Sequence, residues 1–170
     1  MAVSATVESA FAPLLGQMAW QARSDEHGCI MLEFGAPHLE VREPMKVSAG
    51  ASAKVRRLQA RRVVSVTGDW HLWIESCIWT LRTGSGAISS GDPTENCWQD
   101  WMDEISGQRL ASVHADMPGA LTLAFDMGAV LEVSADPDGE LQSWSLFAWK
   151  GPVTTCSATG QIELKPVSGT

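Results

Sequence analysis

The chain has 170 residues, is 45% apolar and 19% charged, and carries a formal charge of −8, which excludes a disordered or low-complexity chain and fits one folded unit with a real core. The acidic balance excludes broad binding of nucleic acid or anionic membrane by the whole surface, while leaving room for a local basic patch. The four cysteines, Cys29, Cys77, Cys97 and Cys156, have neither zinc-ligand spacing nor the density of a secreted disulfide scaffold, so free thiols, no metal and no cofactor are expected.

The first twenty residues have no basic n-region, and Glu8 interrupts their apolar run. No apolar stretch reaches the roughly 18 residues of a membrane span. The expected location is the cytoplasm, with no membrane partner. Val7, Ala10, Phe11 and Leu14 stand near helical spacing, which predicts a short amphipathic helix over 4–12, stopped by Pro13. Gly16 and Gln17 lead into a strand to about residue 23; a polar turn at 24–28 follows, and 29–34 returns with Ile30, Leu32 and Phe34 on one face. A third strand is predicted at 38–42.

The next segment is the most unusual in composition. Between Lys46 and Arg62 stand Lys46, Lys54, Arg56, Arg57, Arg61 and Arg62 with no Asp or Glu, so this segment is +6 and the remainder −14. With a small, flexible stretch at 48–53 and basic residues on both faces of 55–66, residues 43–66 read as an inserted, projecting basic hairpin. Residues 70–81 then read as one long strand, with Trp70, Leu72 and Ile74 on one face and His71, Trp73, Glu75, Cys77 and Trp79 on the other. Large residues on both faces predict a central strand covered on both sides. The Gly/Ser-rich stretch 83–91 reads as a linker.

Asp92 and Pro93 open a second predicted helix, on which Trp98, Trp101, Met102 and Ile105 form a core-facing stripe. Strands follow at about 108–114, 120–126, 129–134 and 140–149, with a closing strand at 156–164. An offset of 91 relates Gly16 to Gly107, Gly28 to Gly119 and Phe34 to Phe125, and it becomes 92 at Leu39 and Leu131. These matches fall on turn glycines and alternating apolar positions, where a repeated meander needs them. The expected fold is therefore α+β, an internally duplicated helix plus antiparallel meander with two helices packed on antiparallel sheet. Its parts would be a first repeat at 1–82, a linker at 83–91 and a second repeat at 92–170.

Motifs that name a chemistry are few. The glycines at 84–91 lack the Lys-Ser/Thr of a P-loop and precede the acidic helix start Asp92 and Glu95, which would repel phosphate. The Asp136 to Glu140 run lacks the downstream bidentate Glu of a calcium loop. His27, His38 and His114 read as surface residues. His71, Glu75 and Cys77 could serve a hydrolase, but six positions separate His71 from Cys77, roughly 20 Å of extended strand, so no catalytic residue is assigned.

The Trp-rich halves, with Leu131-Glu132-Val133 followed by Asp138-Gly139-Glu140 and Trp144, resemble small bacterial α+β proteins of unknown function and of toxin-immunity type. That resemblance implies a non-enzymatic interaction protein with a protein partner or a second copy of itself. Candidate binding residues are Lys54, Arg56, Arg57, Arg61 and Arg62 of the basic hairpin and His71, Trp73, Glu75 and Trp79 of the long strand. The alternatives are a phosphate-bearing ligand or nucleic acid at the hairpin, and an enzyme built on His71, Glu75 and Cys77.

Overall fold

A computed structural model describes residues 2–25, 27–48, 50–75, 78–92, 98–136 and 142–166. Helix α1 (Ala2–Phe11) runs into a 3-10 turn at Ala12–Leu14, where Pro13 occupies a first-turn position at which a missing N–H costs nothing. Six antiparallel strands form one sheet in the order β1 (Ala19–Ser24), β2 (Ile30–Phe34), β5 (Trp70–Ile74), β11 (Gln142–Ala148), β12 (Val153–Ser157) and β13 (Ile162–Lys165). A second sheet has the order β7 (Gly86–Ser89), β6 (Trp79–Thr83), β10 (Val130–Val133), β9 (Leu121–Phe125) and β8 (Leu110–His114). Among the described residues, strands β3 (His38–Arg42) and β4 (Val63–Thr67) pair only with each other. Helix α2 (Ala53–Gln59) joins them, and α3 (Trp98–Asp103) precedes β8. The protein is thus α+β in the broad sense, with far more sheet than helix.

The two sheets meet at a seam. Gly16 N–H donates to Leu110 C=O and Gly107 N–H to Ala19 C=O, both at 2.8 Å; Ala19 N–H donates to Gln108 C=O at 2.8 Å and Leu110 N–H to Gln17 C=O at 3.0 Å. Gly16 and Gly107 both sit at positive φ, +77° and +94°, a conformation that favours glycine at each mouth of the seam. Around it, α1 packs on β8 and α3 on β1. Val7, Phe11, Leu14, Ile30, Leu32 and Phe34 are buried, and so are Trp98, Met102, Ile105, Leu121, Leu123 and Phe125, each 91 positions later. One hydrophobic cluster joins both sets, with Trp144 edge-on to Phe11 at 5.1 Å and Trp98 edge-on to Trp79 at 5.6 Å.

Several sequence expectations are corrected. Residues 70–81 are not one strand: β5 and β6 lie in different sheets, and the buried face switches from even positions (Leu72, Ile74) to odd ones (Trp79, Leu81) between them. Only one face of β5 is covered by the core, because Trp73 on the other face is 38% exposed. Residues 55–66 are not a continuous ribbon. Ser52 caps α2 by accepting the Val55 N–H, and Ala53–Gln59 is made of good helix formers, so the strand starts only at Val63. The expected linker contains β7, paired with β6, and the expected closing strand is a β12–β13 hairpin. The expected helix start at 93–97 and the expected turn residues 137–140 lie outside the described residues.

The β3–α2–β4 segment is therefore an arm outside the core, since none of its described residues belongs to the buried cluster. Replacing the fully buried Leu32 by Ala should cost about 3 kcal/mol through lost burial and a cavity. Replacing Leu58 of α2 by Asp should move stability by no more than about 0.5 kcal/mol. Denaturant midpoints of the two variants measure the contrast.

Candidate functional site

Beta pairing places Glu33 of β2, His71 of β5 and Phe147 of β11 in one row on the outer face of the six-stranded sheet. Glu33 is a carboxylate between Leu32 and Phe34, and at 3% exposure it is buried despite its charge. Its Oε1 meets His71 Nδ1 at 2.7 Å, while its Oε2 accepts the Gly68 N–H at 2.9 Å and the Thr67 hydroxyl at 3.2 Å. Burial drives the Glu33 carboxyl upward, but the His71 and Gly68 hydrogen bonds, the His71 charge and the Thr67 hydroxyl together outweigh it and hold it below its ordinary 4.5. An ionised carboxylate only accepts, so His71 Nδ1 carries the proton.

A second pair lies at the same corner. His38 Nε2 is 2.8 Å from Asp69 Oδ1, and Asp69 Oδ2 accepts the Ala36 N–H at 2.6 Å. These bonds, that of His38 foremost, lower the Asp69 carboxyl below its ordinary 3.8. His38 stacks on Trp149 with centroids 4.7 Å apart, and Lys150 Nζ stands 5.4 Å from the centre of the same indole. Lys150 holds a positive φ of +51°, a strained position for a side chain with a Cβ, which carries its ammonium over the ring. Between the arm and the sheet is an open cleft of about 620 Å³, with His71, Phe147, Trp149 and Lys150 on the sheet side and Leu39 and Val41 on the arm side.

The expected site residues fall in three places. His71 and Trp73 share the outer face of β5, and Glu75 just beyond it accepts the Ser145 hydroxyl at 2.9 Å and borders a shallower groove of about 440 Å³ with Trp73. Trp79 is not with them: it is in the other sheet, buried, and donates its indole N–H to Gly28 C=O at 2.8 Å. Lys54, Arg56, Arg57, Arg61 and Arg62 are gathered at the arm tip, where Arg62 pairs with Glu43 at 2.9 Å. Among the described residues, Lys54, Arg56, Arg57 and Arg61 have no ion pair. The carboxylate partner of His71 is Glu33 rather than Glu75, and Cys77 lies outside the described residues. Burial pushes the Cys156 thiol up to about 11, so it is no nucleophile at neutral pH.

Sequence reasoning missed Glu33, His38, Asp69, Trp149 and Lys150. Only Glu33 had a local signal, a carboxylate in the middle of the apolar strand Ile30–Phe34. Among the described residues, no group of three His, Cys, Asp or Glu side chains is placed to hold a metal ion, and no helix is long and apolar enough to cross a membrane.

Residues 48–165 match DUF6188, a family of unknown function. The chain belongs to this family. The DUF6188 match begins in the arm and ends on β13, so it takes in α2, His71, Trp149 and Lys150 and leaves out β2 and β3 with Glu33 and His38. No curated protein and no solved structure matches the chain.

The corner makes the DUF6188 chain sensitive to acid. Glu33 stays ionised in the fold at pH values where the unfolded chain already binds a proton. Its contribution is therefore complete above about pH 4.5 and is lost as pH falls through the lower folded value. Glu33→Gln should flatten that acid limb in urea titrations between about pH 6 and 3. Gly68→Ala should destabilise by about 2 kcal/mol, because its Cβ would collide with the Phe34 carbonyl oxygen and amide nitrogen; a denaturation curve measures it.

Proposed function

We propose that this protein is a non-enzymatic interaction protein, immunity-like in character, which docks an acidic protein partner on the tip of its arm. The observation that carries this reading is the unspent charge: Lys54, Arg56, Arg57 and Arg61 stand together with no acidic partner among the described residues, although the chain outside 46–62 is −14. A basic segment meant only to balance the body would lie against it. Here the apolar neighbours of those cations, Val55, Leu58 and Val64, are exposed as well, and an apolar centre ringed by charge suits a protein surface. We read the body as a duplicated unit, supported by the 91-residue offset between its buried positions.

A phosphate-bearing partner is the second reading, favoured by the same four cations; the lack of aromatic residues between Lys46 and Arg62 weighs against stacking on single-stranded nucleic acid. The test compares the wild type with the triple variant Arg56→Glu, Arg57→Glu, Arg61→Glu. Crosslinking and mass spectrometry on cell extract, with light scattering on the pure protein, should give an acidic partner or a self-complex for the wild type only, weakening with salt. Complexes identical in both proteins, or none in either, would refute the reading, and recovery of nucleic acid alone would replace it with the second.

A further inference from the structure

We propose that the cleft at the root of the arm binds a small apolar carboxylate, and that His71 takes up a proton when it does so. The inference is independent of the arm tip and needs nothing from it. Glu33 is fixed by the Gly68 amide and the Thr67 hydroxyl and can only accept, so it sets the His71 tautomer with the proton on Nδ1. The other ring nitrogen, Nε2, has no hydrogen-bond partner among the described residues, and His71 lines the cleft. With Nδ1 donating to Glu33, Nε2 faces the cleft as an acceptor, so a carboxylate can be held in front of it only when Nε2 takes up a proton and donates.

The remaining walls state what the rest of the ligand must be. Leu39, Val41, Phe147 and Trp149 supply apolar surface, and about 620 Å³ is the size of a small-molecule site. The charged groups around His71 are Glu33 on β2, Glu40 on β3, Lys150 after β11, and the His38–Asp69 pair at the arm root. Asp69 is matched by His38, and Glu33 is matched by the proton that His71 gains. That leaves the Lys150 ammonium at the rim over Trp149 as the cation for the ligand, with Glu40 disfavouring a second negative charge on it. One carboxylate on an apolar body satisfies this set; a dianion does not. In the binding step the carboxylate stays ionised, one proton moves from solvent to His71 Nε2, and no covalent bond changes.

Isothermal titration with octanoate, and with 1-octanol as the neutral counterpart, tests the proposal on the full chain. Octanoate should bind at least about tenfold more tightly than octanol. It should take up close to one proton, read from buffers of different ionisation enthalpy, and lose about tenfold in affinity per pH unit where free His71 is neutral. His71→Ala and Lys150→Ala should each weaken octanoate about tenfold or more and leave octanol unchanged. Glu33→Gln should lower the proton uptake. Lys150 is on the surface, so its variant remains informative if His71→Ala fails to fold. Acetyl-leucyl-leucine distinguishes the source of the carboxylate: tighter binding than octanoate assigns a peptide terminus, weaker binding a free acid. Equal affinity for octanoate and octanol, no response to either variant, or no octanoate binding would overturn the proposal.

Discussion

The body of this protein depends on four backbone hydrogen bonds. Gly16, Gln17 and Ala19 exchange them with Gly107, Gln108 and Leu110, so that the edges of two sheets close on one another where each would otherwise expose unpaired amides. The seam also dictates where the helices go, since α1 covers β8 and α3 covers β1. Each helix thus packs across the seam, and buried residues such as Phe11 and Met102 or Leu32 and Leu123 stand 91 positions apart.

Against that closed body the arm is built on a different rule. Among the described residues its two strands pair only with each other, and Leu39, Val41, Val64 and Val66 remain exposed, Leu39 at 69%. What holds it in place is polar: Gly68 and Thr67 bind buried Glu33, and His38 and Asp69 join across its root beside Trp149. A charge buried at that price in solvation is retained only where well-placed donors meet it, and here they come from the two residues that end the arm and from His71. The same contacts orient the arm and shape the cleft beneath it.

Much of the body was legible in the sequence because local patterns carried it. The alternation Ile30, Leu32, Phe34, the stripe Trp98, Met102, Ile105 and the turn glycines each report on a burial that neighbours in sequence share. The reading failed where pattern and pairing part company. Residues 70–81 keep large apolar residues throughout, and only the change of parity between Ile74 and Trp79 reveals that the chain leaves one sheet for the other. At α2 the Ser52 cap and the Ala53–Gln59 composition were available, but the β-branched run at Val63 drew the strand too far back. The corner of Glu33, His71 and Lys150 was out of reach for another reason. It needs the register of β2, β5 and β11, strands far apart in the chain, and no local spacing encodes that register.

The central claim is a division of labour between a closed body and an arm left open for contact with something else. Native-state hydrogen exchange on the isolated chain tests it most directly. The seam amides of Gly16, Ala19, Gly107 and Leu110 should exchange only through global unfolding, while the β3–β4 amides should open at markedly lower free energy. Arm amides protected as strongly as the seam would contradict the account.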